Sequence, residues 1–164
     1  MNGGEFLTRL TIWLALCAYA AGAGMLLARG SRWLLRARAV WTLGCVFFLA
    51  HVVCAFCFSH RWSHAAAYDE TARQTAAVTG LRWGGGIWWN YLFAAAWLAD
   101  VLWWWLAPAS FARRPHWLSA IWHGFFFFMV FNGTVVFGTG PVRWLGALIC
   151  GGLAVLWGRG RNDG

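Results

Sequence analysis

The sequence has too few charged residues to cover a water-soluble domain. Charged side chains make up 11% of the 164 residues and hydrophobic ones 61%, whereas a soluble domain has about 25% charged residues. One domain is the expected count at this length, and its polar residues cannot form a shell around so much apolar mass. The composition therefore excludes a soluble globule and predicts that apolar surface faces lipid.

Lysine is missing altogether, and acidic residues are rare. All thirteen basic residues are arginine, and the formal net charge is +8. Nearly all the arginines lie in short segments between apolar runs, a pattern typical of membrane topology signals and of contacts with anionic headgroups. Of the five acidic residues, only Asp100 falls within an apolar run. The sequence excludes nucleic acid as a partner and indicates membrane lipids instead.

The motifs of soluble enzymes are also missing. No nucleophile with its base, phosphate-binding glycine loop or HExxH motif occurs in a context that supports it. The only sizeable segment outside the apolar runs, residues 60–82, is too short for a catalytic domain. These absences favour a non-enzymatic role, and any chemistry must use residues within or at the edge of the membrane-embedded part.

The sequence does contain five apolar runs. They predict an all-α fold, a polytopic transmembrane helical bundle that forms one domain over residues 1–164. The runs cover residues 10–28, 39–58, 85–107, 117–137 and 142–157. About 20 helical residues cross a hydrocarbon core of about 30 Å, so the first four runs are long enough to span it. The fifth is shorter and begins with Arg143. Five spans are expected, and four spans plus a re-entrant segment is the alternative.

The distribution of arginines predicts the orientation in the membrane, because cytoplasmic segments carry the excess of basic residues. The arginines expected on the cytoplasmic side are Arg29, Arg32, Arg36 and Arg38 in the first loop, Arg113 and Arg114 in the third, and Arg159 and Arg161 in the tail. The N-terminus is then outside and the C-terminus cytoplasmic, with the inverted topology as the alternative. The arginine-only composition, rich in Ala, Gly and Trp, favours a bacterial inner membrane.

Residues 60–82 are predicted to extend the second span beyond the bilayer. The alanine-rich composition favours helix as far as Gly80, and the cluster Gly84, Gly85 and Gly86 then breaks the chain before the third span. We expect an extramembrane helical extension that returns through a glycine hinge.

Five potential metal ligands lie at the outer end of the second span: His51, Cys54, Cys57, His60 and His64. On one continuous helix, Cys57, His60 and His64 would share a face, and His residues at i and i+4 can chelate one ion. A thiolate one turn earlier would complete three ligands for zinc or copper. The alternative is that the cysteines are small apolar residues and the histidines merely interfacial.

Two redox alternatives arise from the same segment. Covalent haem is excluded because Phe58, rather than His, follows the CxxC of Cys54 and Cys57. The two cysteines could instead exchange disulfides with a thiol or quinone-linked partner. Haem b held by two histidines is disfavoured, because His51 and His123 are predicted to lie at depths that differ by roughly 9 Å.

Asp100 and His123 form the second candidate site. An acid inside a membrane is costly and usually faces the bundle interior with a partner. Both residues are predicted roughly 10 Å from the cytoplasmic side, on antiparallel neighbouring helices, so their side chains can meet. The pair would either pin two helices together, relay protons, orient a haem ligand or bind a quinone headgroup.

A polar cavity is predicted in the outer half of the bundle. Its residues are His51, Asn90, Tyr91, Asn132 and Thr134, which occur at similar depth on three spans. The alternative is that Asn and Thr only join helices by hydrogen bonds of about 0.6 kcal/mol each.

Together these features predict a small integral membrane protein that serves as a non-catalytic subunit or accessory protein of a redox, metal or proton-handling complex. Other membrane subunits or further copies of the chain are the expected partners. The competing hypotheses are an oligomeric small transporter or channel, and a membrane thiol-redox protein that uses Cys54 and Cys57.

Overall fold

The computed structural model describes residues 3–27 and 34–162, with side chains as far as residue 158. Arg29 and Arg32, which are central to the predicted orientation, lie outside these residues. Every regular element in the described part of the chain is helical, which confirms the all-α prediction. The helices are α1 (Gly3–Leu27), α2 (Leu34–Cys54), α3 (His64–Thr79), α4 (Gly86–Leu106), α5 (Pro108–Ala112), α6 (His116–Phe131) and α7 (Pro141–Asn162).

Among residues 3–27 and 34–162, four helical segments are long and apolar enough to cross a membrane: Gly3–Leu27, Leu34–Ser59, His116–Val136 and Pro141–Gly158. The fifth apolar run, expected to be marginal, is therefore one of the four. The third run, now α4, is not among them, because its six tryptophans together with Asn90, Tyr91 and Asp100 lower its mean hydropathy. With 21 residues α4 is still about 31 Å long, so its length alone is sufficient for a span.

Aromatic rings of α2, α4 and α6 form the centre of the bundle. Trp41 and Phe126 are fully buried and Trp97 is 1% exposed. Their ring centroids are 5.3 to 5.5 Å apart, a separation at which aromatic pairs attract beyond the burial of their area. On α4 the buried residues recur at helical spacing, as Phe93, Trp97, Asp100, Val101 and Trp104, so one face of this helix points into the bundle.

Glycines allow α1 and α2 to approach this aromatic centre. A Cβ at Gly22 on α1 would lie 3.1 Å from Cε3 of Trp41 on α2. A Cβ at Gly44 would lie 2.8 Å from Cζ2 of Trp97, which is closer than Cβ atoms approach other heavy atoms in proteins. The absence of a side chain at Gly44 is therefore what lets the indole of Trp97 reach α2.

The segment after the second span is helical over His64–Thr79, but it does not continue that span as one helix. After α2 the helix widens into a π turn, Ala55–Ser59, in which the N–H of His60 donates to the carbonyl oxygen of Ala55 at 3.1 Å. Arg61 and Trp62 then adopt left-handed backbone conformations, with φ of 48° and 59°, which end the helix.

α3 therefore begins anew. The Ser63 side chain accepts a hydrogen bond from the N–H of Ala66 at 3.2 Å, as an N-cap does. Its end was predicted correctly: Gly80 caps α3 in the left-handed region at φ 78°, where glycine has no steric cost.

Candidate functional site

Asp100 lies in a hydrogen-bonded network in the half of the bundle that contains the α4–α6 connection. The Nε1 of Trp41 donates to Oδ2 of Asp100 at 2.9 Å, and Nη1 of Arg114 donates to Oδ1 at 2.9 Å. The Asp100 side chain is 2% exposed and that of Arg114 9%. A buried carboxylate needs such a paired, hydrogen-bonded environment.

Arg114 also joins His123 to this network. Its Nη2 lies 3.0 Å from Nε2 of His123, which must accept, because a guanidinium carries only donors. The structure thus places Asp100 and His123 in one cluster, but the direct contact between them is replaced by the guanidinium of Arg114. The ring of Phe111, 4.2 Å from the Arg114 Cζ, supports the guanidinium from another side.

Sequence reasoning missed Arg114 because it counted this residue only as a topology signal. Arg113 and Arg114 follow the short helix α5, and Pro115 caps the next helix in an extended conformation. This tight connection turns Arg114 inwards while Arg113 stays exposed. The sequence did contain a signal: Asp100 is an acid within an apolar run, and Arg114 is a basic residue in the short connection that follows that run.

The network joins four segments rather than forming an open reaction site. Its members come from α2, α4, the α5–α6 connection and α6, and both carboxylate oxygens of Asp100 are engaged. A carboxylate held by a guanidinium and an indole N–H is fixed in place, which suits a tie between helices more than a group that exchanges protons.

The predicted metal site is not assembled. Among residues 3–27 and 34–162 no group of three or more His, Cys, Asp or Glu side chains is placed to hold a metal ion. Because the helix is interrupted after α2, Cys57, His60 and His64 no longer have the regular helical spacing that would have put them on one face. Instead, Nδ1 of His64 is hydrogen-bonded to the hydroxyl of Tyr91 at 2.9 Å, and the ring of His60 packs edge-on against Phe56.

The cysteines of this segment are free thiols. Cys54 ends α2 and is half-buried, whereas Cys57 lies in the π turn and is exposed. His51, which the sequence grouped with them, is bound elsewhere: its Nδ1 donates to the carbonyl oxygen of Thr8 on α1 at 2.9 Å. His51 and His64 are therefore hydrogen-bonded to different helices, α1 and α4, and the five predicted ligands do not form one site.

A cavity of about 1610 Å³ lies between the helices of the described residues. Its walls are the first half of α1, the end of α2, one side of α3, the first half of α4, the end of α6 and residues 137–142. We call this the outer cavity, after the side of the membrane on which the sequence predicts it. All five residues of the predicted polar cavity line it: His51, Asn90, Tyr91, Asn132 and Thr134.

Most of these polar groups already have partners. Thr134 is buried and donates to the carbonyl oxygen of Val130 at 2.7 Å, and Asn132 donates to that of Phe128 at 2.8 Å. These bonds satisfy backbone groups where α6 widens into a second π turn, Asn132–Val136. In His51, the donation from Nδ1 leaves the lone pair of the neutral ring on Nε2.

The inner end of the outer cavity is closed by aromatic side chains. Trp97 lines the cavity and packs against Tyr19, Phe48 and Phe93, with ring centroids 5.4 to 6.2 Å away. Its Nε1 is buried and has no hydrogen-bond partner among the residues that the structure describes. Trp97 thus contributes an aromatic ring to the cavity wall, while its indole N–H is enclosed by neighbouring side chains.

The rim of the cavity on α3 is charged. Glu70, which lines the cavity, accepts hydrogen bonds from Arg73 and from Gln74. The hydrogen bond from Arg73 holds the pKa of Glu70 below its ordinary value. Glu70 therefore stays ionised at neutral pH, and the ion pair marks the polar edge of an apolar cavity.

Neither a protein-family model, nor a curated protein, nor a solved structure matches this chain.

Proposed function

We propose that this small membrane protein binds a lipophilic small molecule in the outer cavity and acts as a non-catalytic subunit that holds this molecule in the membrane. The observation that carries the proposal is the cavity itself. It exceeds the roughly 300–1,000 Å³ of ordinary ligand sites, which leaves room for a long apolar body.

The chemistry of the wall supports a lipophile. Apolar and aromatic residues of α1, α2 and α4 form much of the wall. The polar residues lie along α3, near the start of α4 and just after α6, together with Arg9 on α1 and His51 on α2. Sites for small molecules combine such apolar walls with a few orienting polar groups. The charged pair of Glu70 and Arg73 at the rim favours a ligand with a polar end that remains near the membrane surface.

A role within a redox or proton-handling complex agrees with this proposal, because such complexes use lipophilic carriers.

We place the cavity on the outer side of the membrane, following the distribution of arginines. A cysteine introduced at exposed Val78, in a chain without its native cysteines, should react with an impermeant reagent from outside; reaction only after the membrane is breached would reverse this orientation.

Two glycines provide a matched test of ligand binding. A side chain at either Gly133 or Gly124 would meet nothing within 4 Å, but Gly133 lines the cavity and Gly124 does not. Gly133→Trp should therefore fill cavity volume, while Gly124→Trp adds the same bulk at an exposed position in the middle of α6, outside the cavity.

The measurement is native mass spectrometry of the full chain in detergent, with monodecanoyl glycerol and a decyl-benzoquinone added as probes. We expect a 1:1 complex with at least one probe, lost in Gly133→Trp and kept in Gly124→Trp. Absence of any complex, or equal complexes in both variants, would contradict ligand binding in this cavity.

A further inference from the structure

Arg9 is a charged side chain in the mostly apolar α1 wall of the outer cavity. It is exposed, so a molecule in the cavity can reach it. Among the residues that the structure describes it has no ion-pair or hydrogen-bond partner; the nearest acid along α1 is Glu5, four residues earlier, and no ion pair joins the two. A guanidinium stays charged at any physiological pH, and a charge in a membrane-spanning helix is costly unless it is paired.

The helical phase of α1 directs Arg9 towards the cavity. Phe6, Trp13 and Leu16 also line the cavity, and they lie three, four and seven residues away from Arg9 along the helix. This is the spacing of side chains on one helical face. The Arg9 side chain therefore leaves α1 on the same side as its cavity-lining neighbours.

Asn90 is a second polar side chain that faces the cavity, from α4. Gly86, Phe93 and Trp97, at the same helical spacing around it, line the cavity too. Asn90 is exposed, and its amide has no hydrogen-bond partner among the described residues. It lies about 6 Å from the start of α4 and Arg9 about 9 Å from the start of α1. Both helices line the cavity with their first halves, so the two donors occur at similar depth.

The acidic residues of α3 at this end of the bundle are matched by other arginines. Glu70 accepts a hydrogen bond from Arg73, and Asp69 forms an ion pair with Arg82 at 3.6 Å. Neither carboxylate is paired with Arg9. The charge of Arg9 is thus left for a molecule that enters the cavity.

We propose that the ligand of the outer cavity is an anionic lipophile, whose phosphate or carboxylate accepts hydrogen bonds from the guanidinium of Arg9 and the amide of Asn90. A guanidinium binds either anion through two parallel N–H···O bonds, and an amide adds further donors. This inference rests on the proposed function and specifies its ligand class: an alkyl chain among the apolar walls with an acid group at the outer end. A phosphorylated glycerolipid and a fatty acid both present this chemistry.

The test compares probes that differ in their charged group. Monodecanoyl glycerol is paired with its phosphate monoester, and decanamide with decanoate. A charge-assisted hydrogen bond corresponds to about tenfold in affinity. In native mass spectrometry from a maltoside detergent, the full chain should therefore bind the anionic member of a pair about tenfold more tightly. The pair with the larger preference identifies phosphate or carboxylate as the source of the charge.

Arg61 supplies the matched control. It is an exposed arginine near the end of α2 that does not line the cavity. Arg9→Gln should bring the affinity ratio of each pair close to one and leave binding of the neutral probe unchanged, whereas Arg61→Gln should preserve the ratio. A ratio near one in the parent, a ratio that survives Arg9→Gln, or one that Arg61→Gln abolishes would overturn the inference.

Asn90→Asp tests the other donor. The replacement keeps the size of the side chain but adds a negative charge that repels the bound anion and competes for Arg9. It should weaken binding of the anionic probe by at least about tenfold and leave that of the neutral probe unchanged. Unchanged binding of the anionic probe, or equal losses for both probes, would contradict this placement of the acid group.

The neutral probes separate this inference from the proposed function. Neutral and anionic probes that bind the parent equally, and are both lost in Gly133→Trp, would leave the cavity a ligand site and overturn only its preference for an anion. Failure of all four probes to bind the parent would contradict the proposed function itself.

Discussion

At the scale of single residues, Arg114 determines the role of Asp100, the acid within an apolar run. Asp100 alone would be an isolated charge in the bundle, and His123 alone a buried ring. With Arg114 between them, the carboxylate and the imidazole both bind one guanidinium. Trp41 donates a hydrogen bond to the second carboxylate oxygen, so both oxygens of Asp100 have partners within the cluster. We therefore assign it to stability and assign ligand binding to the outer cavity.

The replacement Arg114→Ala should destabilise the solubilised protein by about 3–5 kcal/mol, because it leaves the buried carboxylate of Asp100 without its counter-ion. The neighbouring exposed residue supplies the control, and Arg113→Ala should change stability by less than about 0.5 kcal/mol. Thermal unfolding in detergent measures both.

Adding Asp100→Asn to Arg114→Ala should cost less than the sum of the two single changes, because the uncompensated charge is removed. The same coupling is expected between Asp100→Ala and His123→Ala, acting through the guanidinium. Equal effects of Arg113→Ala and Arg114→Ala, or strictly additive losses, would show that the network contributes nothing specific.

At the scale of helices, close approach of glycine to tryptophan sets the shape of the bundle. Gly22 faces Trp41 and Gly44 faces Trp97, whereas a side chain at Gly24 would meet nothing within 4 Å. Of these two glycines of α1, Gly22 therefore has a packing role and Gly24 does not. The position of the cavity floor depends on this packing, because Gly44 admits the indole that closes it.

Gly44→Ala should destabilise the bundle by about 1–3 kcal/mol, since the added methyl group would force Trp97 or α2 to move. Gly24→Ala should be neutral or slightly stabilising, because alanine favours helix and the space is open. Denaturation of the two variants in the same detergent provides the comparison. A Gly44→Ala protein as stable as Gly24→Ala would mean that the two helices are not held together in this way.

Helical periodicity predicted the elements better than the breaks between them. The end of α3 at Gly80 could be predicted because glycine tolerates the left-handed capping conformation. The break at Arg61 and Trp62 could not, because neither residue type favours a positive φ. The metal prediction failed with it, since Cys57, His60 and His64 share a face only if the helix continues.

At the scale of the whole molecule, the bundle has two ends with different properties. One contains the satisfied ionic network of Asp100, Arg114 and His123, and the other the outer cavity with its charged rim. The aromatic centre of Trp41, Trp97 and Phe126 separates them. Depth along the helices was enough to select Asp100 and His123 at one end and the five polar residues of the cavity at the other. It did not identify Arg114, whose role depends on the fold of the α5–α6 connection, and it does not describe the volume between the helices, which depends on packing.

Photolabelling of the full chain in lipid nanodiscs would show whether a ligand occupies the outer cavity. Monodecanoyl glycerol and decyl-benzoquinone, each with a diazirine on the decyl chain, would be photolysed and the adducts located by mass spectrometry. We predict adducts on cavity-lining residues such as Phe6, Thr75 and Met129, removed by excess unlabelled probe. Adducts confined to outward-facing residues such as Leu35 and Leu148, and unaffected by competition, would contradict ligand binding in the outer cavity.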